Sequence, residues 1–399
     1  MVLACPDKDV EISHRIEINF SPVKNCSESG IGKSTRIKHT SGMIGQVYAN
    51  DQLDKYGLPI QTVIIKITQL NIYLQAMEKD EARKKMNTLG TQRIPFIFII
   101  DFEMEKPRIL TMQEAMEQEL YFDIRNLQKL PDPGQIPFPL HWETLPVPFC
   151  IYQNGFDLVM QHIRHGNSYL LNLTYPTLVK TNYSLEQLFF ISRAKYKLCL
   201  PGDFLVFSPE TFIKISENQI FTFPMKGTID ASILDAAELL MNDPKEVSEH
   251  YTIVDLMRND LSMVADRIVV NRFRYLEKIE TALGGLFQTS SEIAGRLSRG
   301  WQERIGDILF ELLPAGSVSG APKKKTMEII RAAEAGPRGF YTGVFGYFDG
   351  DSVDSAVMIR YIEHSGQQLI FRSGGGITGK SVSEKEYQEL IDKVYVPVS

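Results

Sequence analysis

Four glutamates lie in two short runs whose spacing could place them on helix faces: DPKEVSEH (243–250) and SEKEYQE (383–389). In the first, Asp243 is placed to cap a helix with Pro244 at its first position. Glu246 then falls three residues past the cap and Glu249 one turn further along the same face. In the second, Ser383 takes the capping part for Glu386 and Glu389. A capping box accounts for Glu246 and Glu386 unaided, because it wants glutamate there. It does not account for Glu249 and Glu389, which lie inside their helices beside apolar neighbours. Paired glutamates on two helices, without sulfur or histidine partners, suit a hard, oxygen-preferring ion such as Mg²⁺.

Other segments carry weaker signals. SGGGIT (Ser373 to Thr378) reads as a glycine-rich turn between a strand and a helix, where backbone N–H groups can approach an anion closely. Its nearness to Glu386 and Glu389 would let a carboxylate substrate bridge cradle and metal. GSVSGAPKKKTMEII is a second such turn running into a helix, with Lys323 near the helix start, where a cation opposes the helix dipole. Lys226 in FPMKGT lies among apolar and small residues; a partly desolvated lysine there can act as a nucleophile, and an exposed lysine is the alternative. GIGKST (Gly30 to Thr35) has Ser27 where a phosphate-binding loop needs glycine. His162 and His165 stand three apart without further ligands nearby and read as a solvated helix face.

The elements that must position these residues alternate irregularly. Helical patterns cover Phe156 to His165, Leu185 to Lys195, Ala231 to Leu240, Pro244 to Met257, Gln302 to Leu313, Lys323 to Ala335 and Ser383 to Val394. Strand-like runs cover Ile94 to Phe102, Asp203 to Phe207, Phe212 to Ile215, Arg267 to Val270, Gly343 to Phe348, Ser355 to Ile362 and Gln368 to Arg372. Such mixing without regular βαβ spacing predicts an α+β fold. Residues 1–90 read as an N-terminal extension, with an internal start at Met86 an option, and 91–399 as the catalytic domain. The prolines between 131 and 148 mark an irregular crossover.

A net charge of −6 over 399 residues, with no basic stripe, excludes a nucleic-acid surface. The four cysteines are scattered without CxxC spacing, so neither a disulfide framework nor a zinc site is suggested, and a reducing cytoplasm is the expectation. The longest apolar run, Ile94 to Ile100, is far shorter than a membrane span needs.

Seven segments in order resemble the chorismate-utilising enzymes, the family that contains anthranilate, aminodeoxychorismate, isochorismate and salicylate synthases. They are YLLNLTYP (Tyr169 to Pro176), FSPETF (Phe207 to Phe212), PMKGT (Pro224 to Thr228), EHYTIVDLMRNDL (Glu249 to Leu261), SGAPKKKTMEII (Ser319 to Ile330), RGFYTGVFGYF (Arg338 to Phe348) and GGGITGKSVSEKEYQE (Gly374 to Glu389). The resemblance implies two packed antiparallel sheets with the active site between them. It implies Glu249 and Glu389 as Mg²⁺ ligands, with Glu246 and Glu386 holding metal-bound waters. Gly374, Gly375, Gly376 and Lys393 would receive the ring carboxylate of chorismate, and Tyr341 and Arg360 the enolpyruvyl carboxylate. Thr228 and Lys323 join the substrate-binding set.

Lysine at the position of Lys226 is common in the aminodeoxychorismate synthases, whereas anthranilate synthases usually carry alanine. The resemblance therefore implies Lys226 as nucleophile and Glu210 as the acid that protonates the departing C4 hydroxyl, which requires a carboxyl held partly protonated. Leu170 stands where water-activating members place a lysine base, which weakens a water-adding reading. Gln288 replaces the family's usual histidine. The implied activity is conversion of chorismate and ammonia to 4-amino-4-deoxychorismate on the way to p-aminobenzoate and folate. Ammonia would come from a separate glutamine amidotransferase subunit, and a separate lyase would act next. Anthranilate synthesis, or a non-catalytic scaffold role, is the alternative.

Overall fold

The computed structural model describes residues 77–398 apart from 126, 282, 283 and 335, so GIGKST lies outside the described residues. The chain runs α1 (Lys79–Thr91), β1 (Phe96–Ile100), β2 (Arg108–Thr111), α2 (Met112–Glu117), β3 (Tyr121–Ile124), β4 (Leu127–Lys129), β5 (Trp142–Pro146), α3 (Phe149–Arg164), β6 (Leu170–Thr181) and α4 (Leu185–Ile191). There follow β7 (Tyr196–Leu200), β8 (Phe204–Ser208), β9 (Thr211–Ser216), β10 (Gln219–Thr222), β11 (Met225–Asp230), α5 (Ala236–Asn242), α6 (Pro244–Ser262), β12 (Asp266–Thr281), β13 (Gly284–Arg296) and α7 (Ile305–Leu312). The last are β14 (Gly320–Ala321), α8 (Lys323–Ala333), β15 (Val344–Phe348), β16 (Val353–Val357), β17 (Tyr361–Ser365), β18 (Gln368–Thr378) and α9 (Ser383–Asp392).

Among the described residues the strands form two antiparallel sheets of nine strands each. One is ordered β11-β13-β10-β9-β16-β15-β1-β2 with β12 on the far edge of β13; the other is β14-β6-β18-β17-β8-β7-β3-β4 with β5 on β6. Strand β1 shows why the sheets must stack. All five residues of FIFII are buried: Phe96, Phe98 and Ile100 pack on the helix side with Met86 and Ile305, while Ile97 and Ile99 meet Leu198, Phe204 and Val206 of the other sheet. A strand wet on one face would alternate; this one is covered on both. Helices α3, α8 and α9 cover the outer face of the second sheet through Leu171, Leu173, Tyr175 and Ile377. The molecule is thus the α+β fold expected, with helices outside two packed sheets.

Helix α1 alters the expected boundary, because Ala82 and Met86 are wholly buried in the core shared with α7. The catalytic body therefore begins before residue 91 and includes residues ahead of Met86. The crossover expected between 131 and 148 contains a short strand, β5. The helix expected over Ala231 to Leu240 begins only at Ala236, and the glycine-rich turn expected at SGGGIT is instead the continuation of β18, paired with β6 from Thr378↔Leu170 back to Leu369↔Val179.

The run Ser355 to Ile362 is not one strand. Val353–Val357 belongs to the first sheet and Tyr361–Ser365 to the second, with Arg360 at φ 54° in the passage between them. Pro209 and Glu210 make the other such passage, from β8 in the second sheet to β9 in the first. The two passages are bonded to each other: the Val357 N–H donates to the Glu210 carbonyl at 3.2 Å, and the Phe207 N–H to the Arg360 carbonyl at 3.1 Å.

Candidate active site

These two passages open onto a cavity of about 280 Å³ between the sheets. Its walls include Glu210, Lys226, Thr228, Tyr341, Arg360, Gly374, Gly376, Glu389 and Lys393, residues drawn from six separate stretches of the chain. A pocket of this kind, with a few converging polar groups, is where chemistry is to be sought.

Lys226 sits on β11 opposite Thr289 of β13, at a bulge that Gly227 makes possible with φ 79°. The Thr289 hydroxyl donates to the Lys226 carbonyl and holds that bulge. The ammonium lies 3.6 Å from Glu249 Oε2. Across the cavity the Ser317 hydroxyl donates to Glu210 Oε1 at 2.6 Å. Removal from water pushes the Glu210 carboxyl above its ordinary value, although the Ser317 bond and the charges of Lys226 and Lys393 pull the other way. A carboxyl raised in this manner gives up its proton less readily to water and is suited to act as a general acid.

The end of α9 supplies Lys393, whose Nζ donates to the Gly374 carbonyl at 2.8 Å and meets Glu389 Oε1 at 2.6 Å. Burial lowers the Lys393 ammonium, opposed by the Glu389 charge. Arg360 donates through Nη1 to the Lys393 carbonyl at 2.9 Å and lies over the Tyr395 ring, 4.8 Å from its centroid. Tyr341 is buried, which raises its phenol to about 12, so it enters as a neutral hydrogen-bond donor. Arg360, Arg372 and Lys393 bring three cationic side chains to the cavity wall, Lys393 paired with Glu389 and Arg372 with Glu363.

Next to these cations stand the four glutamates, of which Glu389 lines the cavity and Glu249 meets it through Lys226. Asp243 caps α6 as expected, accepting from the N–H groups of Lys245 and Glu246 at 2.8 and 2.9 Å. The α9 start differs: Val382 is the cap, Ser383 bonds to its neighbour Glu384, and Ser381 is the hydroxyl that serves Glu386. Burial raises the carboxyls of Glu246 and Glu386, and repulsion from Glu249 and Glu389 respectively adds to it.

A Cβ added at Gly375 would lie 3.5 Å from both Glu386 Oε2 and Glu389 Oε1, and one at Gly227 would meet Glu246 Oε2 at 2.8 Å. Bare backbone therefore leaves the carboxylates room above it. The set is all hard oxygen and fits a hard divalent cation. Among the described residues no three acidic, histidine or cysteine side chains already converge on one point. Instead, Lys226 and Lys245 each lie 3.6 Å from Glu249, and Lys393 takes Glu389.

One expected substrate ligand lies elsewhere. Lys323, at the first position of α8, is 3.1 Å from Asp260 Oδ2 and donates to the Leu312 carbonyl at the end of α7. It answers a buried acid and the negative end of another helix, and it does not line the cavity. Asn172, Ser317 and Arg372 line the cavity without having been singled out in the sequence. A lone polar residue inside the apolar strand LLNLT was the available sign for Asn172. Gln288 also lines it, with Nε2 buried and unpartnered.

The cavity between the two stacked antiparallel sheets thus gathers lysines, arginines and glutamates at one place, the arrangement of an enzyme site. Residues 69–399 match the chorismate binding enzyme family, and the chain belongs to it. It is 56% identical over 316 residues to an uncharacterised PabA-like protein of Pasteurella multocida, covering 79% of this chain and 98% of that one. A PabA-like protein of Haemophilus influenzae is 54% identical over 318 residues, covering 79% and 96%. In fold the chain is similar to a 2,3-dihydroxybenzoate-specific isochorismate synthase from Bacillus anthracis, with a TM-score of 0.57 and 20% identity over 79% of this chain and 86% of that one.

Proposed function

We propose that this enzyme converts chorismate and ammonia to 4-amino-4-deoxychorismate by way of a covalent adduct on Lys226. The observation that supports it best is the pairing across one cavity of the Lys226 amine with Glu210, a carboxyl that burial holds above its ordinary value. Tyr341, Arg360 and Lys393 would hold the two carboxylates and fix the ring between acid and amine.

In the first step the neutral Lys226 amine bonds to C2, both conjugated ring double bonds shift, and the C4 oxygen leaves as water with the proton from Glu210. In the second, ammonia bonds to C4, both double bonds shift back, and the protonated Lys226 nitrogen leaves as a neutral amine. Two displacements give net retention. Mg²⁺, held by Glu249 and Glu389 with Glu246 and Glu386 through waters, would supply positive charge to the ring carboxylate. Ammonia is taken to come from a glutamine amidotransferase subunit, with a separate lyase consuming the product.

The test is to incubate the protein with chorismate and Mg²⁺, with and without an ammonium salt, and to weigh both product and protein. Aminodeoxychorismate, and in the absence of ammonia a protein heavier by chorismate less water at Lys226, are expected. Lys226→Ala should lower turnover on the order of a thousandfold. Anthranilate as the product, or undiminished activity in Lys226→Ala, would move the enzyme to anthranilate synthesis or a non-covalent route.

A further inference from the structure

Against the large cavity, at Lys226, lies a second chamber of about 20 Å³. Asn172, Lys226, Ser317 and Gly376 belong to both walls, and Leu170 and Ser319 help close the small one off. A site of some 10–15 Å³ holds one water-sized molecule, so this chamber suits a guest with one heavy atom.

Beside the Lys226 nitrogen, three side-chain oxygens of its walls are free to accept. The Ser317 hydroxyl is committed to Glu210 and the Ser319 hydroxyl to the Ala315 carbonyl at 2.8 Å, which leaves their oxygens as acceptors. Asn172 has its backbone fully used, the N–H by the Ser319 carbonyl and the carbonyl by Arg338, yet its side-chain Oδ1 is sealed from solvent with no partner. An unpartnered buried acceptor is costly unless something fills the need. Leucine at 170 makes one side apolar, which disfavours a charged guest.

We infer that this chamber holds neutral ammonia beside Lys226, ready for the second displacement. Ammonia has one heavy atom, three N–H donors for the Ser317, Ser319 and Asn172 oxygens, and a lone pair left for the ring carbon. The inference rests on the proposed reaction, whose second step needs ammonia at the moment the Lys226–C2 bond breaks and the electron pair returns to the lysine nitrogen. Occupied from this side, the chamber would also keep water out of the competing addition.

Steady-state kinetics with ¹⁵N-ammonium and saturating chorismate test it on the full chain. Asn172→Leu should raise the KM for ammonia about tenfold, as expected for losing one well-placed hydrogen bond, and by a larger factor than it raises the KM for chorismate. Leu170→Ala enlarges the chamber and should let methylamine enter, giving an N-methylated product that the wild-type protein does not form. An unchanged ammonia KM in a folded Asn172→Leu protein, or equal use of methylamine by wild type and Leu170→Ala, overturns the chamber's role while ¹⁵N incorporation upholds the reaction. Chorismate turnover by the wild type without ¹⁵N incorporation overturns both.

Discussion

In the proposed reaction Glu210 releases a proton to the departing hydroxyl, so its protonated form is the active one there. Because burial raises its carboxyl, kcat/KM should fall as pH climbs through that raised value, tenfold per pH unit beyond it. Glu210→Gln should cost about 10² to 10⁴ in kcat and abolish that alkaline limb. The same shift has a stability sign. A carboxyl whose folded value exceeds its unfolded one favours folding at low pH, and the contribution is lost as pH rises from the ordinary glutamate range through the raised value. Urea midpoints measured across that window should show the slope in the wild type and a flatter line in the glutamine variant.

At the same scale, Glu249 carries two ammonium groups where a divalent ion is proposed. Burial lowers the Lys245 ammonium, yet the charges of Glu249, Glu386, Glu246 and Glu389 outweigh this and leave it above its ordinary value. It is therefore a monovalent competitor for the metal. Lys245→Met should tighten Mn²⁺ binding about three- to tenfold, less at high salt since this side chain is half exposed. Weaker or unchanged Mn²⁺ affinity by calorimetry would show that Lys245 assists or ignores the ion. The sequence made Lys226 and Glu210 legible through their motifs. It could not show that Lys323 would be claimed by Asp260, because the partner lies 63 positions away and only the fold brings them together.

Strand β18 lets three adjacent glycines be told apart. A Cβ at Gly374 would sit 2.5 Å from the Leu173 carbonyl and 2.6 Å from Thr174 Cγ2, so Gly374→Ala must push β18 off β6 and should cost about 1–3 kcal/mol in urea unfolding. At Gly375 the nearest atoms are carboxylate oxygens at 3.5 Å, an ordinary contact. Gly375→Ala should therefore fold with an unchanged midpoint and weaken Mn²⁺ and chorismate binding, because its methyl covers the acid cluster. Equal losses of stability in both variants would show that the glycines serve packing alone. The element itself was misjudged from sequence as a turn, since consecutive glycines signal flexibility and nothing local reveals ten register pairs with β6. The break at Arg360 was hidden for the opposite reason: its positive φ falls on a non-glycine residue, in a run whose side chains suit a strand throughout. That break and the Glu210 passage are what place acid and arginine at one cavity. The fold-defining crossings are thus less legible than the residues they carry.

For the whole molecule, the least expected feature is that α1 belongs to the body of the enzyme. Its charged surface, KDEARKKMNTLGT, gives little warning, for Ala82, Met86 and Leu89 make only a narrow apolar stripe. Contact with α7 depends on glycine at both ends. A Cβ at Gly90 would strike the Gln302 carbonyl, and one at Gly306 the Arg83 carbonyl. Asn87 joins the two helices, accepting from the Gly306 N–H at 2.7 Å and donating to Asp307 at 3.1 Å. Backbones this close tolerate no side chain, so Gly306→Val should destabilise by about 1–3 kcal/mol through overpacking. The cavity is built from the other ends of the sheets, and none of its wall residues lies on α1 or α7. The variant that still folds should therefore keep the wild-type KM for chorismate while its thermal midpoint falls by several degrees. If instead its KM rose along with the loss of stability, α1 would have to be counted among the elements that set the geometry between the sheets. Chorismate kinetics and thermal unfolding on the same preparation decide between the two.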